Sequence, residues 1–593
     1  MPDPEYYPPT LTGMRGNHPG SYDNAHPLAW DGDAPDYAQD TGEEYDLIVV
    51  GGGLSGLAAA CLFRRERGAD QRILILDNHD DFGGHAKRNE FEVDGKMLLG
   101  IGGSVNLENP KDYSKVVREL LQDVGVDFDK LTAANEGDAF TNLGDEAGLF
   151  LKDKNGQGKT VVGKWRRALH GYDDYEDLIN QLPLPQSERS KIIKLSSGDW
   201  DYLVGLSIKE RTDYLTSTPY HQFLIEKVGL SQDTFSIFDS FMRVLWGVGG
   251  DSLSVHEALL TGAPGLGSVG WPWGLAESYF FGGDELFTTL LFPDGNASLA
   301  RLMVRHLIPE VAPGHSMDDI ATARFDYSKL DKKNAPVRLR LNSTAVNAVQ
   351  NDDQVTVRYV KEGKPYSAKA SHCILACYNS IIPHLCPQLP EKQKEGLKYG
   401  SKVPLIWANV VIRDNTPFRK AGAEFYECPN GYFTIITRSP TTNLVDYQAP
   451  LKDGDPLVLF MMGSPVPIRE PDQTVRDVFR QARYELLGTP FSKFEDEIKA
   501  QLTDLFAAHG FDADRDIEAI TINRWAHGYA YDYTDLFDRE FKKGAYPHEI
   551  GRKQFGRISI ANSDAGAKAY LDAAIDQAWR AVREQTFIIN KEK

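Results

Sequence analysis

The tightest constraint on this chain is the run Gly51-Gly52-Gly53-Leu54-Ser55-Gly56, set between an apolar stretch at 45–50 and an alanine-rich stretch at 57–67. It reads as strand, glycine turn and helix. Gly51 permits the tight turn, Gly53 lets a pyrophosphate approach the backbone, and Gly56 lets helix and strand pack closely. A second apolar strand at 72–76 ends on Asp77, 26 residues after Gly51. The segment therefore opens a βαβ unit with parallel strands. The helix N-terminus offers unpaired N–H groups and the positive end of its dipole to phosphates, and Asp77 is placed to accept from ribose hydroxyls. A bound dinucleotide is the expectation.

The same reading disposes of a membrane span. Residues 47–63 are the longest uncharged apolar run, but glycines interrupt the front and Arg64-Arg65-Glu66-Arg67 follows. The start, Met1-Pro2-Asp3-Pro4-Glu5, lacks the basic and apolar regions of a signal peptide, so a cytoplasmic chain without a transmembrane segment is expected. With 65 basic and 85 acidic residues the net charge is −20, the wrong sign for a nucleic-acid binder and the right one for attracting cations. Hydrophobic residues make up 41%, enough for a large core and too many for disorder. The cysteines at 61, 373, 377, 386 and 428 form neither a zinc quartet nor a haem-attachment motif, and read as buried thiols.

Residues 1–44 contain seven prolines and nine acids against one basic residue, Arg15. Such a segment should form no helix of its own, and its aromatics, Tyr6, Tyr7, Tyr22, Trp30 and Tyr37, suggest an extended arm lying on the body. Strand patterns at 337–341, 345–350, 354–360, 371–377, 404–412 and 557–561 and a last helix at 570–585 complete the outline.

After Asp77 comes Gly83-Gly84. This pairing resembles the glutathione-reductase-type flavoproteins, in their amine oxidase and desaturase branch, which implies FAD as the dinucleotide. In that likeness Gly83, Gly84 and the following residue line the pyrophosphate. That residue is usually arginine and here is His85, so charge neutralisation passes to Lys87, Arg88 or the backbone. Gly102-Gly103-Ser104 resembles the loop along the flavin ring, with Gly103 and Ser104 in contact. Ser343-Thr344-Ala345-Val346 resembles the strand whose backbone meets adenine, at Val346. Residues 558–579 resemble the final strand and helix, with Asp564 at the ribityl or pyrophosphate region and Ala574 and Ile575 beside the flavin carbonyl.

Longer strings narrow the resemblance. Phe82-Gly-Gly-His-Ala-Lys-Arg-Asn-Glu-Phe91, Phe292-Pro-Asp-Gly-Asn-Ala-Ser-Leu-Ala-Arg301, Asn523-Arg-Trp-Ala-His-Gly-Tyr-Ala-Tyr531 and the arm's Thr12-Gly-Met-Arg-Gly-Asn-His-Pro-Gly-Ser21 look like the bacterial spermidine dehydrogenases. The resemblance implies an α/β protein with a Rossmann-type FAD-binding domain from 45–110, 291–380 and 531–593. A mixed sheet and helix substrate domain from 111–290 and 381–530 is inserted in it. It implies oxidation of a polyamine at a carbon next to nitrogen, by hydride transfer to flavin N5, giving an imine that hydrolyses to an aldehyde and a shorter amine. Trp525, His527 and Tyr529 would give the aromatic wall that keeps the reacting nitrogen neutral and attracts the cation. Lys402 would hold a water against flavin N5. Haem b is also implied, with His18 and His26 of the arm as candidate ligands. Asp199, Asp201, Asp239 and Asp251 are candidates for the substrate wall. The expected partners are a small cationic amine, an electron acceptor of unspecified kind and a second copy of the chain. Two other readings remain: a flavin-dependent desaturase or isomerase on an apolar substrate, and a flavin electron-transfer module without catalysis.

Overall fold

The strand, turn and helix around the glycine run fold in the predicted order: Gln39–Val50, helix Leu54–Arg67, then Ile73–Leu76. The computed structural model describes residues 6–35, 37–136, 146–153, 156–276, 288–538 and 541–592, with side chains as far as residue 587; Met1–Glu5, on which the leader reading turned, lie outside the described residues. Among the described residues no helix is long and apolar enough to cross a membrane. The first ten residues of Leu54–Arg67 are all buried, and Arg64, Arg65 and Arg67 crowd its last turn, where cations complement the helix dipole.

The chain is an α/β protein with two large sheets. The Rossmann-type sheet runs Val337–Arg340, Ile73–Leu76, Gln39–Val50, Lys364–Leu375, Val355–Lys361, Ser343–Gln350, and Ile558–Ile560 joins the outer side of Lys364–Leu375. Its first four strands and Ile558–Ile560 are parallel; the other two return antiparallel as a meander. Buried strands such as Ile73–Leu76 read as unbroken apolar runs, because both faces are covered. The second sheet runs Gly13–Gly16, Ile517–Tyr529, Val403–Ile412, Leu457–Gly463, Ile435–Arg438, Phe425–Glu427, Ala147–Lys152, Gly158–Gly163. Helices between residues 165 and 260 pack on its face through Phe238, Met242, Trp407 and Phe460.

The arm is more ordered than its composition suggests. Gly13–Gly16 adds to the second sheet parallel to Ile517–Tyr529, and Ala25–Asp31 is a helix. Pro27 stands in the first turn, where its missing N–H costs no hydrogen bond, and Gly32 ends the helix in the left-handed region at φ 73°. From Gln39 the arm already belongs to the first strand, pairing with the extended start of Lys364–Leu375.

Candidate active site

A cavity of about 920 Å³ is lined by residues of both sheets and of the arm. Its nucleotide end is a contact between two glycine segments. The Gly83 N–H donates to the Gly52 carbonyl at 2.8 Å, and Gly53 and Gly83 bridge in parallel. Gly84, at φ 60°, lies so near the turn that a Cβ would stand 2.9 Å from Gly53 Cα. Beneath it, a Cβ on Gly56 would stand 1.9 Å from the Gly51 carbonyl oxygen. The result is a wall of bare backbone, the surface a pyrophosphate needs for close approach. Asp77 lies at its edge, its carboxylate accepting from the Gly52 and His79 N–H groups at 2.7 and 2.8 Å. Burial pushes its pKa up, against the pull of Lys87.

The neighbouring segments fall beside this wall. His85 and Gly103 line the cavity with Ser104, the Ser104 N–H donating to the His85 carbonyl at 2.7 Å. Asn296 holds the Ser104 hydroxyl at 2.8 Å. The His85 ring pairs its Nε2 with the Tyr378 hydroxyl at 3.1 Å, and its pKa falls to about 3 through burial and then Lys402. Lys87 and Arg88 are turned away. Lys87 Nζ donates to the carbonyls of Asp81 and Phe82, and Arg88 is buried against Glu90 at 2.9 Å and Asp294 at 3.5 Å. Neither lines the cavity.

Two further positions are corrected. Ser343, Thr344 and Ala345 line the cavity, whereas the Val346 side chain belongs to the core under the Rossmann-type sheet. A register shift between Ala345 and Asn347 leaves Val346 without a partner residue on the neighbouring strand, so its backbone groups stay open to a ligand. Ala574 lines the cavity and its carbonyl accepts from Ser55 Oγ, but Ile575 is fully buried in the core. The helix begins at Leu571 and the Ala574 N–H is already bonded to the Tyr570 carbonyl. The donors free for a ligand are therefore those of the first turn, before Ala574.

Trp525 is 1% exposed, and its Nε1–H donates to the Gly102 carbonyl at 2.8 Å. Its ring meets the edge of His85 at 4.7 Å, so it braces the Gly102–Ser104 loop besides lining the cavity. His527 stacks on Tyr378 at 5.2 Å, and its Nδ1 accepts from Arg483 at 3.3 Å. Burial, then Arg483, drives its pKa well below the ordinary range, so it is a neutral imidazole. Tyr529 lines the cavity beside Trp407, ring centroids 6.4 Å apart. Lys402 is buried and its Nζ is committed to Asp564 at 2.6 Å; Asp564 also accepts from the Asn379 N–H at 3.0 Å. Lys402 lines the cavity, and the ion pair uses one of its three N–H donors and fixes where the ammonium stands.

The two arm histidines differ in what holds them. His18 places Nδ1 on the Pro19 carbonyl at 2.8 Å and Nε2 on Asp80 at 3.2 Å, leaving no nitrogen for iron. His26 is stacked between Tyr22 and Trp30, at 4.8 and 4.5 Å. The four aspartates named for the substrate wall do not reach the cavity. Asp201 pairs with Arg211, Asp239 with His221, and Asp251 accepts from Ser252 and from the Arg469 N–H, while Asp199 is exposed.

The carboxyl that the sequence did not reveal is Glu427, the last residue of Phe425–Glu427. It lines the cavity among Phe241, Phe425, Ile435 and Met462, and among the described residues no cation pairs with it; the Ser240 hydroxyl is its one polar neighbour that counts. Burial lifts its pKa to about 7, offset in part by the Ser240 hydroxyl. Asp532 also lines the cavity, its pKa raised to about 6 by burial.

Comparison with known proteins agrees with this architecture. The profile of the NAD(P)-binding Rossmann-like domain matches residues 49–124. The oxidoreductase PigB of Serratia sp. (strain ATCC 39006) is 35% identical over 86 residues, 14% of this chain and 11% of that protein's length. Among solved structures, putrescine oxidase with bound putrescine is 16% identical at TM-score 0.51, covering 92% of this chain and 99% of that one. Cyclohexylamine oxidase from Brevibacterium oxydans IH-35A is 12% identical at TM-score 0.52 with the same coverage. A structure described as a protoporphyrinogen oxidase from Exiguobacterium sp. 255-15 is 15% identical at TM-score 0.54, covering 93% and 100%. The chain thus shares with these oxidases a Rossmann-type α/β fold.

Proposed function

We propose that the protein is an FAD-dependent amine oxidoreductase whose substrate carries a second cationic group, as a polyamine does. Glu427 carries this reading: a carboxyl with no counter-cation among the described residues, set into an apolar, aromatic wall of the same cavity that holds the glycine segments. A buried carboxylate is costly unless paired. With its pKa raised to about 7 it is only partly ionised near neutral pH, and a substrate ammonium would favour the carboxylate and supply the missing counter-charge.

The residues present fit FAD. Gly51, Gly53 and Gly84 leave backbone open to its diphosphate, Asp77 reaches a ribose, Val346 offers unpaired backbone groups, Asp564 stands by the first turn of the last helix, and Gly103 and Ser104 flank the remaining wall. When bound, the flavin supplies the hydride acceptor for the carbon next to nitrogen. The protein supplies position and electrostatics. Trp407, Phe425 and Tyr529 exclude water around the reacting nitrogen, favouring its neutral form, while Glu427 holds the distal ammonium. A haem is not part of this reading: both nitrogens of His18 are already engaged, and neither the fold nor the chemistry of the cavity calls for one.

The test is an anaerobic absorbance titration of the FAD-loaded protein with spermidine and with hexylamine. Flavin bleaching by both, at much lower concentration of spermidine, is expected. A flavin that stays oxidised with every amine rejects the reading and turns the apolar wall toward a desaturase-type substrate.

A further inference from the structure

The cavity has a lobe that neither the nucleotide site nor the amine pocket uses. It lies between the arm helix Ala25–Asp31 and the helix Val475–Gly488. Ala25 and Ala29, and likewise His26 and Trp30, are one turn apart and share the face that lines it. The rings of Tyr22, His26, Trp30 and Tyr484 follow one another at 4.8, 4.5 and 6.1 Å, with interplanar angles of 22°, 25° and 32°. The two alanines leave the space beside that stack open. Trp30 is 57% and Tyr484 60% exposed, so the lobe is reached from solvent without passing Glu427.

Arg483 gives the lobe its charge. Three strong cations line the cavity: Lys402 is held by Asp564, and Arg166 is engaged elsewhere. Arg483 has no carboxylate within ion-pair distance among the described residues; its one hydrogen bond goes to neutral His527. Burial holds its pKa down at about 10. Buried Arg301 and Arg524 also lack an acid but donate to carbonyl oxygens, whereas Arg483 has only the imidazole nitrogen, and leaving a partly buried cation so poorly partnered is costly. Guanidinium groups bind planar anions and stack on aromatic rings, and parallel rings favour a flat π ligand.

We infer that this lobe is a second ligand site, for a planar aromatic anion of the type of a sulfonated or carboxylated quinone, with Arg483 meeting the anionic group and Trp30 and Tyr484 the ring. The inference does not depend on the amine reading, because the probe is read by binding.

The test is calorimetric titration of the FAD-loaded protein with 1,2-naphthoquinone-4-sulfonate, on wild type, Arg483→Gln, Arg483→Lys and Trp30→Ala. FAD content and melting temperature are recorded for each. Saturable one-to-one binding to wild type is expected. It should weaken at least tenfold in Arg483→Gln and severalfold in Trp30→Ala, and recover in part in Arg483→Lys, with FAD retained throughout. Neutral 1,4-naphthoquinone should bind more weakly and be indifferent to Arg483→Gln. Equal sulfonate binding in wild type and Arg483→Gln, or no binding to wild type, overturns the inference. A rise in the FAD dissociation constant of Arg483→Gln with probe binding unchanged would assign the arginine to the dinucleotide instead.

Discussion

Glu427 and Lys402 show how differently two buried charges are used. Glu427 has no counter-cation among the described residues and only the Ser240 hydroxyl beside it, so its carboxyl is available to a cationic ligand. Glu427→Gln keeps the shape and removes the charge. It should raise KM for a diamine or polyamine by roughly 10- to 100-fold, the equivalent of about 1.4 to 3 kcal/mol for a charged hydrogen bond, and leave a monoamine nearly unaffected. Because the carboxyl titrates near 7, the polyamine KM should also fall as pH rises through that value, and this dependence should vanish in the glutamine variant; steady-state kinetics against pH check both. Lys402 is already paired, and Lys402→Met leaves Asp564 with one backbone N–H and no cation. Breaking a buried pair from one side costs about 3–5 kcal/mol, so the variant should melt lower and hold FAD weakly, rather than remain intact with altered flavin chemistry. Neither role was legible beforehand. Nothing next to Glu427 in sequence marks it, since its surroundings come from helix and strand residues far along the chain. Lys402 and Asp564 are 162 residues apart.

The glycine turn is the element read most fully from sequence, because each part of its logic is local: strand, turn, helix and the acid at the next strand end. It also separates folding from binding. Gly53 has ordinary extended backbone, and a Cβ there would meet Gly84 Cα at 3.5 Å, a normal contact. Gly53→Ala should therefore fold with a melting temperature near wild type yet lose FAD affinity tenfold or more, the methyl standing where a diphosphate would lie; apoprotein titrated with FAD by fluorescence tests this. Gly56→Ala, with its 1.9 Å clash against the Gly51 carbonyl, should fail to yield folded protein at all. Legibility fell where tertiary contact decided. The arm helix Ala25–Asp31 escaped notice because proline and acid content argue against helices, yet Pro27 sits at the one turn that tolerates it. The last helix, expected at 570–585, runs Leu571–Glu592, and of the two residues that the resemblance set beside the flavin, Ala574 lines the cavity while Ile575 is core, a division that packing and not local pattern decides.

Across the whole molecule, acid stability is set by imidazoles held neutral. His79, His85 and His527 are all pushed below the ordinary histidine range, burial being the first cause in each. The unfolded chain then binds more protons than the folded one between the folded pKa values and about 6.5. Stability is full above that pH and declines as pH falls through it, by up to about 1.4 kcal/mol per pH unit for each histidine. Glu427 and Asp532, raised to about 7 and about 6, take up protons in the folded state over the same window and offset part of this loss, so the histidine share is read by comparison: in thermal melts from pH 8 to 5 a His79→Gln variant should lose less stability than wild type as pH falls. The Rossmann-type α/β architecture and the strand, glycine turn and helix at its heart were readable from pattern; the joining of the arm to the second sheet was not, because strand Gly13–Gly16 lies parallel to residues some five hundred positions later. That pairing sets an order of assembly. Synthesised from the N-terminal side, this strand emerges well before its partner residues Thr521 to Arg524 and has no place to dock until they follow. Until then the aromatic residues around it remain uncovered, a burden for chaperones that a circularly permuted chain, with the arm placed after Arg524, would relieve.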